Sequence, residues 1–120
     1  MSEVRRAAGV LFPEEKIVQR TIQKIRNMGY RVFSTFNSEG FDIIAQHTDT
    51  HKVGFECKRR AARNLLQRAL GQCLILLASK EVERAVICYP PAKSEREAEA
   101  IEDIKTTIDF FNLPVSLMEV

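Results

Sequence analysis

The stretch GFDIIAQHTDTHKVGFECK, residues 40–58, decides the fold, because it reads as two extended segments joined by a short polar turn. Phe41 to His47 and Lys52 to Lys58 are rich in aromatic and β-branched residues, with Thr48-Asp49-Thr50 as the turn signal between them. Successive strand side chains point to opposite faces, so Val53, Phe55 and Cys57 project one way and Gly54, Glu56 and Lys58 the other. One face is apolar; the other sets a carboxylate beside an ammonium. Asp42 stands at the start of a run that is otherwise apolar and would normally be buried. If the turn holds an odd number of residues, Asp42 lies opposite Glu56, and directly opposed side chains share a face.

Two carboxylates a few ångströms apart repel each other unless one is protonated or a cation lies between them. A hard divalent ion such as Mg²⁺, with Mn²⁺ as a substitute, would resolve the conflict using Asp42, Glu56 and the main-chain carbonyl of Cys57 as oxygen ligands. Lys58, on the same face, would then hold an attacking water and neutralise charge developing on a phosphate. The same residues also fit a plainer arrangement, a salt bridge at a sheet edge in which Lys58 neutralises Asp42 and Glu56.

Outward from this hairpin, Asn37-Ser38-Glu39-Gly40 connects a preceding strand, Tyr30 to Phe36, and connections this short favour a three-stranded antiparallel meander. Pro13-Glu14-Glu15 opens a helix, Pro13 to Met28, with the apolar stripe Val18, Ile22, Ile25 and Met28, and Gly29 ends it. After the hairpin, Ala61 to Ser79 has apolar residues over a wide arc, which predicts a helix buried on more than one side. Arg84 to Tyr89 is an apolar strand of the kind found inside a sheet, stopped by Pro90-Pro91. Ser94 and Glu97 form a capping box for a further helix with the stripe Ile101, Ile104, Ile108 and Phe111; Leu113-Pro114 breaks it, and Val115 to Val120 adds a last strand. The order is αβββαβαβ.

With 120 residues, 45% apolar and 28% charged, the chain reads as one domain, residues 1–120, and a core this small is compatible with a homodimer. A net charge of +2 does not mark a nucleic-acid binder in bulk, but Lys58-Arg59-Arg60 with Arg63 and Arg68 is a local basic run, which also reads as a solvated helix start. Cys57, Cys73 and Cys88 are far apart, without a CxxC pair, and suit buried thiols in a reducing cytoplasm rather than a zinc site. No apolar run approaches the roughly 18 residues of a membrane span, so no membrane partner is expected. His47 and His51 flank the turn and receive no role.

Gly40-Phe41-Asp42 followed by Phe55-Glu56-Cys57-Lys58, with a glutamate-bearing helix before and a glutamine-bearing helix after, resembles the PD-(D/E)XK nuclease superfamily, nearest the archaeal Holliday-junction resolvases and related restriction-endonuclease-like domains. The likeness runs from Glu14 to about Leu77. It implies an α/β restriction-endonuclease-like αβββαβ core, a mixed central sheet flanked by helices, with an additional C-terminal helix and strand. It also implies that Asp42 and Glu56 bind the metal and that Lys58 positions the nucleophilic water. Gln72 corresponds to the family glutamine on the following helix; it also falls on the stripe Leu65, Ala69, Gln72, Leu76, where a satisfied core amide is the alternative. Glu15 is the first-helix acid by this likeness, with Glu14 adjacent, Gln19 one turn on, and a surface acid as the alternative. Phe41 stands where the family has proline, and Leu76 where some branches carry tyrosine.

The expected function is a Mg²⁺-dependent endonuclease acting on DNA, with Arg59, Arg60, Arg63 and the terminal Arg5 and Arg6 on phosphates. Its rival is a module that keeps the fold to bind nucleic acid or a protein without cutting.

Overall fold

The computed structural model describes residues 13–36, 40–48 and 51–120. Arg5, Arg6, most of the first connection and Asp49-Thr50 of the hairpin turn lie outside the described residues. The elements are α1 (Pro13–Asn27), β1 (Tyr30–Thr35), β2 (Ile43–His47), β3 (Lys52–Cys57), α2 (Arg63–Ala78), β4 (Arg84–Tyr89), α3 (Glu95–Phe110) and β5 (Val115–Glu119). They form an α/β fold around one mixed sheet of five strands in the order β1-β2-β3-β4-β5. The meander β1-β2-β3 is antiparallel, and β4 and β5 add in parallel, each after a helical crossover. No helix among the described residues is long and apolar enough to cross a membrane.

Strand alternation divides the interior into two cores. Ile43, Ala45, Val53, Phe55, Cys57 and Cys88 face α1, where they meet Ile17, Val18, Ile22 and Ile25. Ile44, Ala85, Ile87 and Tyr89 face the other way, against Leu66, Ala69 and Cys73 of α2 and Ala100, Ile104 and Ile108 of α3. The sheet is therefore covered on both faces, and β3 is its middle strand.

Local chemistry explains most of the boundaries. Gly29 adopts φ +97° after α1, a left-handed conformation that glycine takes without steric cost, and its N–H donates to Arg26 O at 3.0 Å. A side chain there would also press on the His47 ring, since a Cβ would sit 2.9 Å from Nε2. The α1 stripe is Ile17, Val18, Ile22 and Ile25; Met28, expected to continue it, falls past the helix end and is half exposed. At α3, Glu97 N–H donates to Ser94 Oγ at 3.2 Å as the capping signal predicts, but the Glu97 carboxylate takes the Lys93 N–H, at 2.9 Å, one residue earlier than a standard box. Phe111 follows α3 as an exposed cap residue rather than as part of its buried stripe.

The wide apolar arc of α2 is covered over most of its width. Leu65, Leu66, Ala69 and Cys73 are buried and the helix packs on both the sheet and α3, as expected, while Leu74 and Ile75 face outward, Ile75 at 74% exposure. The sheet and α3 take two flanks of α2, and the flank of Leu74 and Ile75 is left exposed.

Candidate active site

Asp42 and Glu56 come from neighbouring strands and converge. The β2–β3 ladder pairs Ile43 with Phe55, and one step further outward sets Asp42 opposite Glu56, the register an odd turn requires. At this step the ladder changes character: Cys57 N–H donates to the Asp42 side chain, at Oδ2, over 2.7 Å instead of to a main-chain carbonyl. That substitution is why β2 begins at Ile43 rather than at Phe41. Because the N–H and C=O of one strand residue point to the same edge, the Cys57 carbonyl faces the gap beside Asp42.

Lys58 N–H donates to Cys88 O at 2.9 Å, which ties the end of β3 to β4. Its ammonium lies 3.6 Å from Glu56 Oε2, with both side chains almost wholly buried. The pair is thus in the middle strand of the sheet, not the edge bridge that the sequence also allowed. Glu56 Oε1 is buried without any hydrogen-bond partner. An unpartnered buried polar atom costs about 1–3 kcal/mol, and more when charged.

The electrostatics follow first from burial and then from neighbouring charge. Burial pushes the Asp42 carboxyl up to about 6, opposed by the Cys57 N–H and by Lys58, and reinforced by the charge of Glu14. Glu56 rises to about 7, first through burial and then through the charge of Asp42, with Lys58 and the Asp42 main-chain N–H acting against the rise. Burial thus leads both shifts and favours the protonated carboxyls in the folded chain.

These residues fit a hard divalent cation. No group of three or more His, Cys, Asp or Glu side chains that could hold an ion occurs among the described residues. An ion held here would therefore rely on Asp42, Glu56, the Cys57 carbonyl and water, which suits Mg²⁺, commonly bound through one or two carboxylates with several waters retained. A cation would satisfy the orphaned Glu56 oxygen and offset the cost of ionising two buried carboxyls.

The remaining expected residues are arranged less tightly. Glu15 is buried in the first turn of α1, but the acid whose charge reaches both Asp42 and Glu56 is its half-buried neighbour Glu14. Gln19 is exposed. Gln72 is exposed as well, and so is not a core amide: the buried stripe of α2 runs through Leu65, Ala69 and Cys73 and leaves position 72 on its outer flank. The α2 side chain that feels the carboxylates is Cys73, whose thiol is pushed up to about 12 by burial and then by the charge of Glu56. The spacing of Cys73 from Ala69 carried that signal, but an apolar-looking cysteine passes for simple core.

Of the five arginines expected on phosphate, Arg5 and Arg6 lie outside the described residues, and two of the other three are engaged elsewhere. Arg60 Nη2 lies 3.3 Å from Glu97 Oε2, and Arg63 Nη1 lies 2.6 Å from Asp103 Oδ2, so both tie the start of α2 to α3. Arg59 is exposed and makes no ion pair with a described residue. A cleft of about 510 Å³ opens beside them, lined by Arg60, Arg63, Ser94, Arg96 and Glu97 among others.

No family model, curated protein or solved structure matches the chain.

Proposed function

We propose that this chain is a PD-(D/E)XK-type nuclease domain with a restriction-endonuclease-like core, and that it hydrolyses DNA phosphodiester bonds with Mg²⁺. The observation that carries the reading is the buried Glu56 carboxylate, crowded by Asp42, with Oε1 unpartnered and the Lys58 ammonium 3.6 Å from Oε2. Burying such charge is costly, and groups perturbed in this way cluster at functional sites.

In this reading Asp42, Glu56 and the Cys57 carbonyl hold the metal. When bound, Mg²⁺ supplies a more acidic water and a positive charge against the scissile phosphate. Lys58 Nζ has N–H groups to spare beyond its single carboxylate contact; it donates one to the attacking water and fixes that water's orientation. The same ammonium offsets negative charge as the phosphate oxygens gain it, in surroundings where water screens little. Arg59 is placed just after the site to take a neighbouring phosphate.

A non-catalytic binding module is the second reading, favoured by the engagement of Arg60 and Arg63 with α3 acids and by the burial of Lys58. Incubation with linear, single-stranded, flapped and four-way DNAs, with Mg²⁺ or chelator, separates the two. Metal-dependent cutting that is lost in Asp42→Asn and Glu56→Gln is expected; binding without cutting on every substrate would establish the second reading.

A further inference from the structure

β1 is an edge strand with a bulge. Val32 pairs with Ala45 and Ser34 with Ile44, which leaves Phe33 as the extra residue between them. Released from the ladder, the Phe33 ring is 44% exposed, and it carries cations on it: Arg31 Cζ lies 4.9 Å from its centroid and Lys52 Nζ 5.2 Å. The two cations come from strands that are not neighbours. Both pair with Gln46 of β2, so the register draws Arg31 and Lys52 into one row across the sheet. Each is exposed, and neither has a carboxylate partner among the described residues.

This row shares a sheet face with the acidic pair. Along β3, Lys52, Gly54 and Glu56 alternate onto the same side, and the four steps from Lys52 to Glu56 span about 13 Å at roughly 3.3 Å each. The helices on that face, α2 and α3, pack over β3, β4 and β5, away from the β1 edge. A part-exposed ring with two unneutralised cations over it matches one class of partner in both respects. Single-stranded nucleic acid presents aromatic faces and phosphates in alternation, and stacking on an aromatic side chain tolerates any base. An acidic protein surface would meet the cations but not the ring, and an intact duplex keeps its bases out of reach.

We propose that Arg31, Phe33 and Lys52 form a platform for an unpaired nucleobase, the two cations turning from the ring they cover onto the flanking phosphates and the base stacking on the ring in their place. The proposal deepens the nuclease reading by naming its substrate as a strand with an unpaired segment. The distance to Glu56 then corresponds to about four stacked nucleotides at 3.4 Å each along a strand.

The chain contains no tryptophan, so Phe33→Trp introduces a single indole reporter into the 120-residue chain. In chelator, a short oligothymidylate, oligouridylate or both should quench that indole, whereas heparin, a polyanion without bases, should not. Phe33→Leu should weaken oligonucleotide binding about tenfold or more without altering the circular dichroism spectrum. Absent quenching, equal quenching by heparin, or unchanged affinity in Phe33→Leu overturns the platform. These readouts need neither metal nor cleavage. Cleavage lost with stacking intact would therefore count against the nuclease reading alone, and stacking lost with cleavage intact against the platform alone.

Discussion

The Phe41 ring occupies the place where residue 54 would carry a side chain: a Cβ built on Gly54 would fall inside the ring's van der Waals envelope, against Cδ2 and Cγ. Gly54 has no unusual φ, so its requirement is for space rather than backbone freedom. Phe41 is 2% exposed and immediately precedes Asp42, so the glycine seats the ring and the ring seats the acid. Gly54→Ala should therefore destabilise the protein by about 1–3 kcal/mol or more through overpacking, and should displace Asp42 as well. Urea denaturation of Gly54→Ala, Phe41→Leu and the double variant checks this. The double variant should be less destabilised than the sum of the single ones; strict additivity would show that the two positions do not touch.

Stability should depend on pH with a definite sign. Both Asp42 and Glu56 bind a proton more tightly in the folded chain than at their ordinary values of 3.8 and 4.5. Their contribution is fully present below about pH 4 and is lost as pH rises through about 6 for Asp42 and about 7 for Glu56. In chelator, the melting temperature should fall from about pH 5 to about pH 8, and Glu56→Gln should flatten the slope. Mg²⁺ competes with protons for the same oxygens, so its stabilising shift should be larger at the alkaline end. Differential scanning fluorimetry across this window tests both statements; a metal-free melting temperature that rises with pH refutes the first.

Lys58 offsets the charge of both acids. Lys58→Met removes that offset while keeping most of the buried apolar stem, leaving two carboxylates without their cation. In chelator near pH 8 the variant should lose on the order of 3 kcal/mol, the usual cost of stranding a buried charge. Adding Glu56→Gln should recover much of the loss, as read by chemical denaturation of the four proteins in a double-mutant cycle. Equal stability of Lys58→Met and the unmodified chain would show that the ammonium neutralises neither acid.

The site was legible wherever strand period and turn parity fixed it. Asp42 faces Glu56, the pairing that a three-residue turn at Thr48-Asp49-Thr50 implies, and alternation along β3 sets Lys58 beside Glu56. Where a helix's rotation against the sheet decided the matter, sequence spacing was too coarse. Glu14 and Glu15 differ by about 100° around α1, and the stripe Val18, Ile22, Ile25 accommodates either. Gln72 and Cys73 pose the same problem on α2, where an exposed Gln72 and a buried Cys73 reflect a tilt that no spacing records. The Arg60 and Arg63 pairings were hidden for another reason: their acids, Glu97 and Asp103, lie on α3, reached only after β4 completes the crossover.

That last point separates three arginines that the sequence had grouped. Arg59 has no described ion-pair partner, so a DNA phosphate would meet an uncommitted guanidinium. Arg60 and Arg63 would have to leave Glu97 and Asp103 first, and exchanging one anion for another gains little. Arg59→Ala should thus weaken DNA binding and reduce the slope of log affinity against log salt by about 0.9, the release expected for one lost phosphate contact. Arg63→Ala should lower stability by about 1 kcal/mol or less, as for other exposed pairs, and leave the salt slope nearly unchanged. Fluorescence anisotropy with labelled DNA over a salt series measures the slopes, and urea denaturation measures the stabilities. A larger slope change for Arg63→Ala than for Arg59→Ala would mean that DNA displaces the Asp103 carboxylate, and that the bridge between α2 and α3 opens on binding.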